Sequence, residues 1–113
     1  MGLDMYLYSK IADNVPQEHI GDWRKHANLH GYMENLYRKR GGTAESFNCI
    51  PLELTKEDCE EIIELSKDNN LELAEGFFWG ASNEEDNEDT IEYMKKAIQA
   101  IEAGSKVYYD SWW

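Results

Sequence analysis

Leu3, Met5 and Leu7 alternate with Asp4, Tyr6 and Tyr8, and this two-residue period constrains the fold more than any other feature of the chain. Successive side chains of an extended strand point to opposite faces. One face of this segment is therefore apolar, and the other carries carboxylate and phenol: a half-buried strand. The closing "KVYYDSWW" is aromatic and β-prone and predicts a second terminal strand. Both ends are expected in the same sheet.

Between them the pattern changes. Asp13, Asn14 and Pro16 mark a loop. From Glu18 to Arg38 the apolar positions Trp23, Ala27, Leu29, Met33, Leu36 and Tyr37 fall about three and four apart, which predicts one amphipathic helix. "RGG" at 40–42 ends it, with cations before glycine as a helix C-terminus favours. "FNCIPLEL" is a short apolar run that Pro51 restricts to an edge strand or an extended lead-in. Thr55 is a cap residue followed by acids, and Cys59, Ile62, Ile63 and Ser66 continue at helical spacing to the Asn69–Asn70 stop. "GFFWG" at 76–80 reads as a strand or tight loop, and "ASNEEDNED" as a solvated acidic loop. Ile91, Met94, Ile98 and Ile101 predict a third helix from about Glu88 to Ala103, ended by Gly104. The expectation is a single small α+β domain over residues 1–113. About three helices pack on a short, mainly antiparallel sheet that includes both terminal strands.

A chain of 113 residues with 42% hydrophobic and 12% aromatic content can bury a core without a disulfide or metal. It holds no apolar run of the roughly 20 residues that a membrane span needs. Nor does it open with a secretory leader. Myristoylation is not expected either, because Tyr6 stands where that motif needs a hydroxyl residue of another type. A cytoplasmic protein is expected, with no membrane partner and no cofactor. Cys49 and Cys59 match no zinc spacing and read as reduced, mostly buried thiols.

The net charge of −12 is unevenly placed: residues 1–43 balance at +1 and residues 44–113 at −13. A chain this acidic is not expected to bind nucleic acid directly. The carboxylates from Glu84 to Asp89 read as a solvated run, or alternatively as a mimic of nucleic-acid phosphates.

The densest chemistry lies in "GDWRKHANLHGYMENLYRKR". On a continuous helix Asp22, His26, His30 and Glu34 would form one stripe of metal-ligand types. The glutamate of a zinc-protease helix is missing, since Ala27 follows the first histidine. No metal is assigned here. A metal-dependent enzyme using His26 and His30 is the third-ranked reading. Trp23, Arg24, Lys25, His26 and His30 instead suit a planar anionic ligand, with a base stacked on the indole and phosphate held by the cations. Phe78, Trp79 and Tyr108 are the aromatic candidates to complete that site. Asp4 and Asp110 lie in the terminal strands and would approach each other if those strands pair. No nucleophile elbow, glycine-rich phosphate loop or catalytic metal motif occurs, so no catalytic residue is assigned.

"GLDMYLY", "WRKHANLH", "GFFWG" and "YYDSWW", in that order, resemble a group of small proteins found in bacteriophage genomes and bacteria. The resemblance implies a phage-related origin and a compact α+β domain, and it brings no catalytic residues with it. Together these readings give a non-enzymatic accessory protein that binds a nucleotide-like ligand and so sequesters a host signal in counter-defence. The alternative is an acidic inhibitor, or nucleic-acid mimic, acting on a host protein. Oligomeric state is left open, with the C-terminal aromatics suited to a homo-oligomer interface as well as to a core.

Overall fold

The computed structural model describes residues 2–12, 14–71 and 84–113. In chain order the elements are β1 (Asp4–Lys10), β2 (Glu18–Arg24), α1 (Ala27–Lys39), β3 (Leu52–Leu54), α2 (Lys56–Lys67), α3 (Glu84–Glu102) and β4 (Lys106–Trp112). The strands form one antiparallel sheet in the order β2-β1-β4-β3, so the two terminal strands lie side by side at its centre. The α+β architecture expected from the sequence is the observed one. The short strand after Pro51 is at an edge, where a residue without an amide proton is tolerated.

Alternation divides the sheet into two faces. Leu3, Met5, Leu7, Trp23, Leu52, Leu54, Val107 and Tyr109 point to one side and are buried. They form a single cluster with Leu29 and Met33 of α1, Cys59, Ile62 and Ile63 of α2, and Met94 and Ala97 of α3. At roughly 1.5–3 kcal/mol for each large side chain removed from water, this cluster is the main source of stability. The opposite face carries Asp4, Tyr6, Tyr8, Asp22, Arg24, Tyr108, Asp110 and Trp112. Among the described residues no helix covers it.

The structure corrects the sequence reading in three places. Residues 18–38 are not one helix: Glu18–Arg24 is strand β2, and α1 begins at Ala27. The register of β1 on β2 slips by one residue after Leu7, pairing Leu7 with Gly21 but Tyr8 with His19 and leaving Ile20 extra. Such a bulge puts residues three apart on the same face. It brings His19 Nε2 within 2.9 Å of Asp22 Oδ2, a pair that a regular strand would separate. Residues 84–89 form the first turns of α3 rather than a loop, and there the carboxylates of Glu85 and Asp86 complement the positive end of the helix dipole. Of the two thiols, Cys59 is buried but Cys49 is exposed, at φ 60° in the segment before Pro51. "GFFWG" lies outside the described residues.

Gly21 has a reason to lack a side chain. A Cβ there would come within 2.4 Å of the Tyr93 ring, which lies against β2 and packs edge-on to Trp23 at 5.1 Å. The start of α2 is closed by a reciprocal cap: Thr55 Oγ1 accepts from the Asp58 amide (3.2 Å) and Asp58 Oδ2 accepts from the Thr55 amide (2.8 Å). Asp58 also pairs with Arg40, which donates a second bond to the Glu53 carbonyl (2.7 Å) and so ties the end of α1 to β3. Thr55→Ala is expected to lower the unfolding free energy by about 1 kcal/mol. Asp58→Ala is expected to cost about 1–3 kcal/mol, because it also removes the partner of Arg40. Urea unfolding of the two variants checks both the size and the order.

Candidate functional site

The residues singled out by the sequence do not converge. Trp23 is buried: its Nε1 donates to Thr90 Oγ1 (2.9 Å), which in turn donates to the Asp86 carbonyl (2.6 Å). An indole held between β2 and α3 has no face left for a planar ligand. Arg24, the next residue along β2, points to the opposite face and is exposed. Lys25 ends the strand at φ 60°, donating its amide to the Leu3 carbonyl (2.8 Å). That left-handed residue turns the chain into α1, with His26 at the N-cap position. Asp22 therefore faces away from His26 and His30, and the stripe of metal-ligand types is broken. Among the described residues no three His, Cys, Asp or Glu side chains gather as a metal site. Phe78 and Trp79 lie outside the described residues.

His26 and His30 are fully buried and belong to the interior. His30 Nδ1 and the Tyr109 hydroxyl lie 2.7 Å apart. The imidazole stacks on Phe47 at 5.4 Å and meets Trp113 edge-on at 6.0 Å. Phe47 stacks in turn on Tyr37 at 4.9 Å. Trp113 is secured there by Asn48, which accepts from its amide (3.0 Å) and donates to its carbonyl (2.7 Å). Nδ1 of His26 stands 4.0 Å from Oδ2 of Asp86 on α3. Burial pushes both imidazoles down from 6.5 to about 4, because a charged ring would have to leave water.

The basic end of α1 is also committed to the fold. Arg38 donates to the carbonyl of Ala44 and, at 3.4 Å each, to those of Gly42 and Glu45, while its guanidinium lies over Tyr37 at 5.2 Å. Tyr37 accepts from the Ala44 amide at 3.1 Å.

What stays at the surface is the open face of the sheet. Cross-strand registers arrange it in rows: Arg24, Asp4 and Trp112; then Asp22, Tyr6 and Asp110; then His19, Tyr8, Tyr108 and Glu53. Tyr6 is 40% exposed and Trp112 67%. Tyr8 and Tyr108 stack at 5.6 Å with 27° between their rings. Of the sequence-derived site candidates among the described residues, Asp22, Arg24 and Tyr108 reach this face. Asp4 and Asp110 do come together through the paired termini, as diagonal neighbours rather than directly opposite, so roughly 7–8 Å separates them. Burial raises the Asp110 carboxyl, opposed by the Ser111 amide that it accepts at 2.8 Å. Tyr6 was missed by reading the chain as local segments, and Trp112 entered only among the C-terminal aromatics suited to an interface or a core. Their signal was the alternation of the two terminal strands, which places every second residue outside once those strands pair.

The buried imidazoles make folding pH-dependent with a definite sign. An unfolded chain protonates each histidine as pH falls through 6.5, and the folded chain only near 4. Between these values the unfolded state binds more protons, so stability falls on acidification through that window and is untouched by these groups above it. At pH 5 the expected loss is up to about 2 kcal/mol per histidine relative to pH 7. Urea unfolding at both pH values, repeated on His30→Asn, checks it: the variant should be less stable at pH 7 yet show a smaller further loss at pH 5. An equal loss in both proteins would place the acid sensitivity elsewhere.

Among the described residues no helix is long and apolar enough to cross a membrane. In comparisons with known proteins, no protein family, curated protein or solved structure matches this chain.

Proposed function

We propose that this protein acts without catalysis, by occupying a partner protein with the open face of its sheet. One observation carries the reading. The helices cover one side of the sheet, and the other presents Tyr6, Tyr8, Tyr108 and Trp112 among Asp4, Asp22 and Asp110. Aromatic side chains are enriched where proteins bind one another, since they bury much area with little entropy to lose. Four strands give a platform about 19 Å wide, and seven residues make it about 23 Å long. That is roughly half of the ~800 Å² that each partner contributes to a standard interface, so the platform and its rim together suffice.

The carboxylates separate this reading from a nucleotide-like ligand. Three acids on the face oppose a phosphate, and the buried Trp23 offers no stacking plane. An acidic inhibitor of a host protein accounts for both. The resemblance to small phage-borne proteins supports a bacterial protein as the one occupied.

Photo-crosslinking residues placed at Tyr6 and Trp112 are expected to yield a protein adduct in bacterial cells, whereas the same residue at the exposed Glu60 and Lys95 of the helical side should yield none. Adducts from the helical positions alone would move the working surface to the other side of the molecule.

A further inference from the structure

The rows of the open face are not chemically equal, and the central one has a specific complement. Tyr6 is paired directly with Asp22 on one side and with Asp110 on the other. Directly opposed residues hold their Cβ atoms about 4.5–5.5 Å apart, so the phenol ring is flanked by a carboxylate on each side. Asp4 stands two residues before Tyr6 on the same strand and face. The ring senses all three acids: burial first, and then Asp4, Asp22 and Asp110, raise its phenol.

Among the described residues no lysine or arginine forms an ion pair within this row, and Arg24 stands in the next one, directly across from Asp4. Among the described residues Asp4 and Asp110 form no ion pair, and Asp22 meets only the exposed His19. Asp22 and Asp110, two strands apart, are separated by about 10 Å, beyond the Debye length of about 8 Å in physiological salt, so each acts on its neighbours largely as a separate charge. An electron-rich ring between unneutralised carboxylates is the complement of a cationic side chain, which gains cation–π attraction and charge-assisted hydrogen bonds at once. Trp112, directly opposite Asp4 and largely exposed, adds an apolar wall for an aliphatic stem. A second copy of the chain is a poor occupant, because it would set the same carboxylates against each other in a molecule of net charge −12.

We infer that the row Asp22–Tyr6–Asp110 receives a guanidinium or ammonium group from a basic segment of the partner protein. This rests on the open face being the binding face, and it names the chemistry of what binds there.

The test is a titration of the full chain with an alternating arginine–glycine peptide, followed by amide NMR and calorimetry. Shifts confined to β1, β2 and β4 are expected. Asp22→Asn with Asp110→Asn should weaken binding by about tenfold or more, the loss of two charge-assisted contacts. Glu88→Gln with Asp89→Asn removes the same formal charge from α3 and should change affinity by less than about twofold. Tyr6→Phe should bind as the wild type does, whereas Tyr6→Ser should bind about two- to fivefold more weakly. Equal weakening by the two double variants, or shifts centred on α2 and α3, would overturn the assignment by reducing it to general attraction toward an acidic chain. No binding, or a face-to-face dimer that Tyr6→Ser disrupts, would overturn it as well. Crosslinks from Trp112 that persist in the Asp22→Asn/Asp110→Asn variant would leave the open-face reading standing while removing the cationic contact.

Discussion

The antiparallel pairing of β1 with β4 is the contact on which the rest of the molecule depends. Seven consecutive residue pairs join the two ends of the chain, from Asp4 opposite Trp112 to Lys10 opposite Lys106. The edge strands β2 and β3 each bond to one member of this central pair. A one-residue slip in the central register would exchange the faces: Leu3, Met5 and Leu7 would turn to water, and Asp4, Tyr6 and Tyr8 into the core. The period-2 pattern in both strands makes that slip costly, so the pairing also determines which side the helices cover.

On the covered side, two long-range hydrogen bonds make buried polar groups compatible with the interior. His30 meets the Tyr109 hydroxyl, and Trp23 donates to Thr90. Both contacts join an element of the first third of the chain to one near its end, so they add long-range specificity that an all-apolar core would lack. The cost is acid sensitivity, since each neutral imidazole must be held well below its ordinary pKa. The aromatic stack of His30, Phe47, Tyr37 and Tyr109 extends the same principle to the loop after α1, and Trp113 anchors the chain end against it.

On the open side the same alternation leaves aromatic rings among acids. A face of this kind is a poor surface for phosphate and a good one for cationic side chains, and that selectivity comes from register alone. Had β1 met β4 two residues further along, Tyr6 would face Tyr108 or Trp112 instead of Asp110, and the central row would lose one of its carboxylates. The proposed role as an acidic protein that occupies a basic partner depends on this placement more than on the net charge. Most of that charge lies in the helices.

By itself the sequence determined the elements whose signals are local. Alternation in Leu3–Tyr8, the cap at Thr55, Pro51 before an edge strand and the glycine stop at Gly104 each act within a few residues, so each could be read in place. Tertiary structure decided what depends on distant partners. The strand Glu18–Arg24 is held by β1, and Trp23 stands four residues before Ala27, which carries the helical spacing of α1 back into the strand, with no cap residue at His26 to mark where α1 starts. That one misplacement joined Asp22, Trp23 and the two histidines into a single apparent site. In the folded chain Trp23 and His30 are interior, Asp22 is exterior, and Asp22's neighbours across the sheet are Tyr6 and then Asp110, far away along the chain. Which side chains share a surface is set by strand register, and register is a property of paired segments rather than of either one alone.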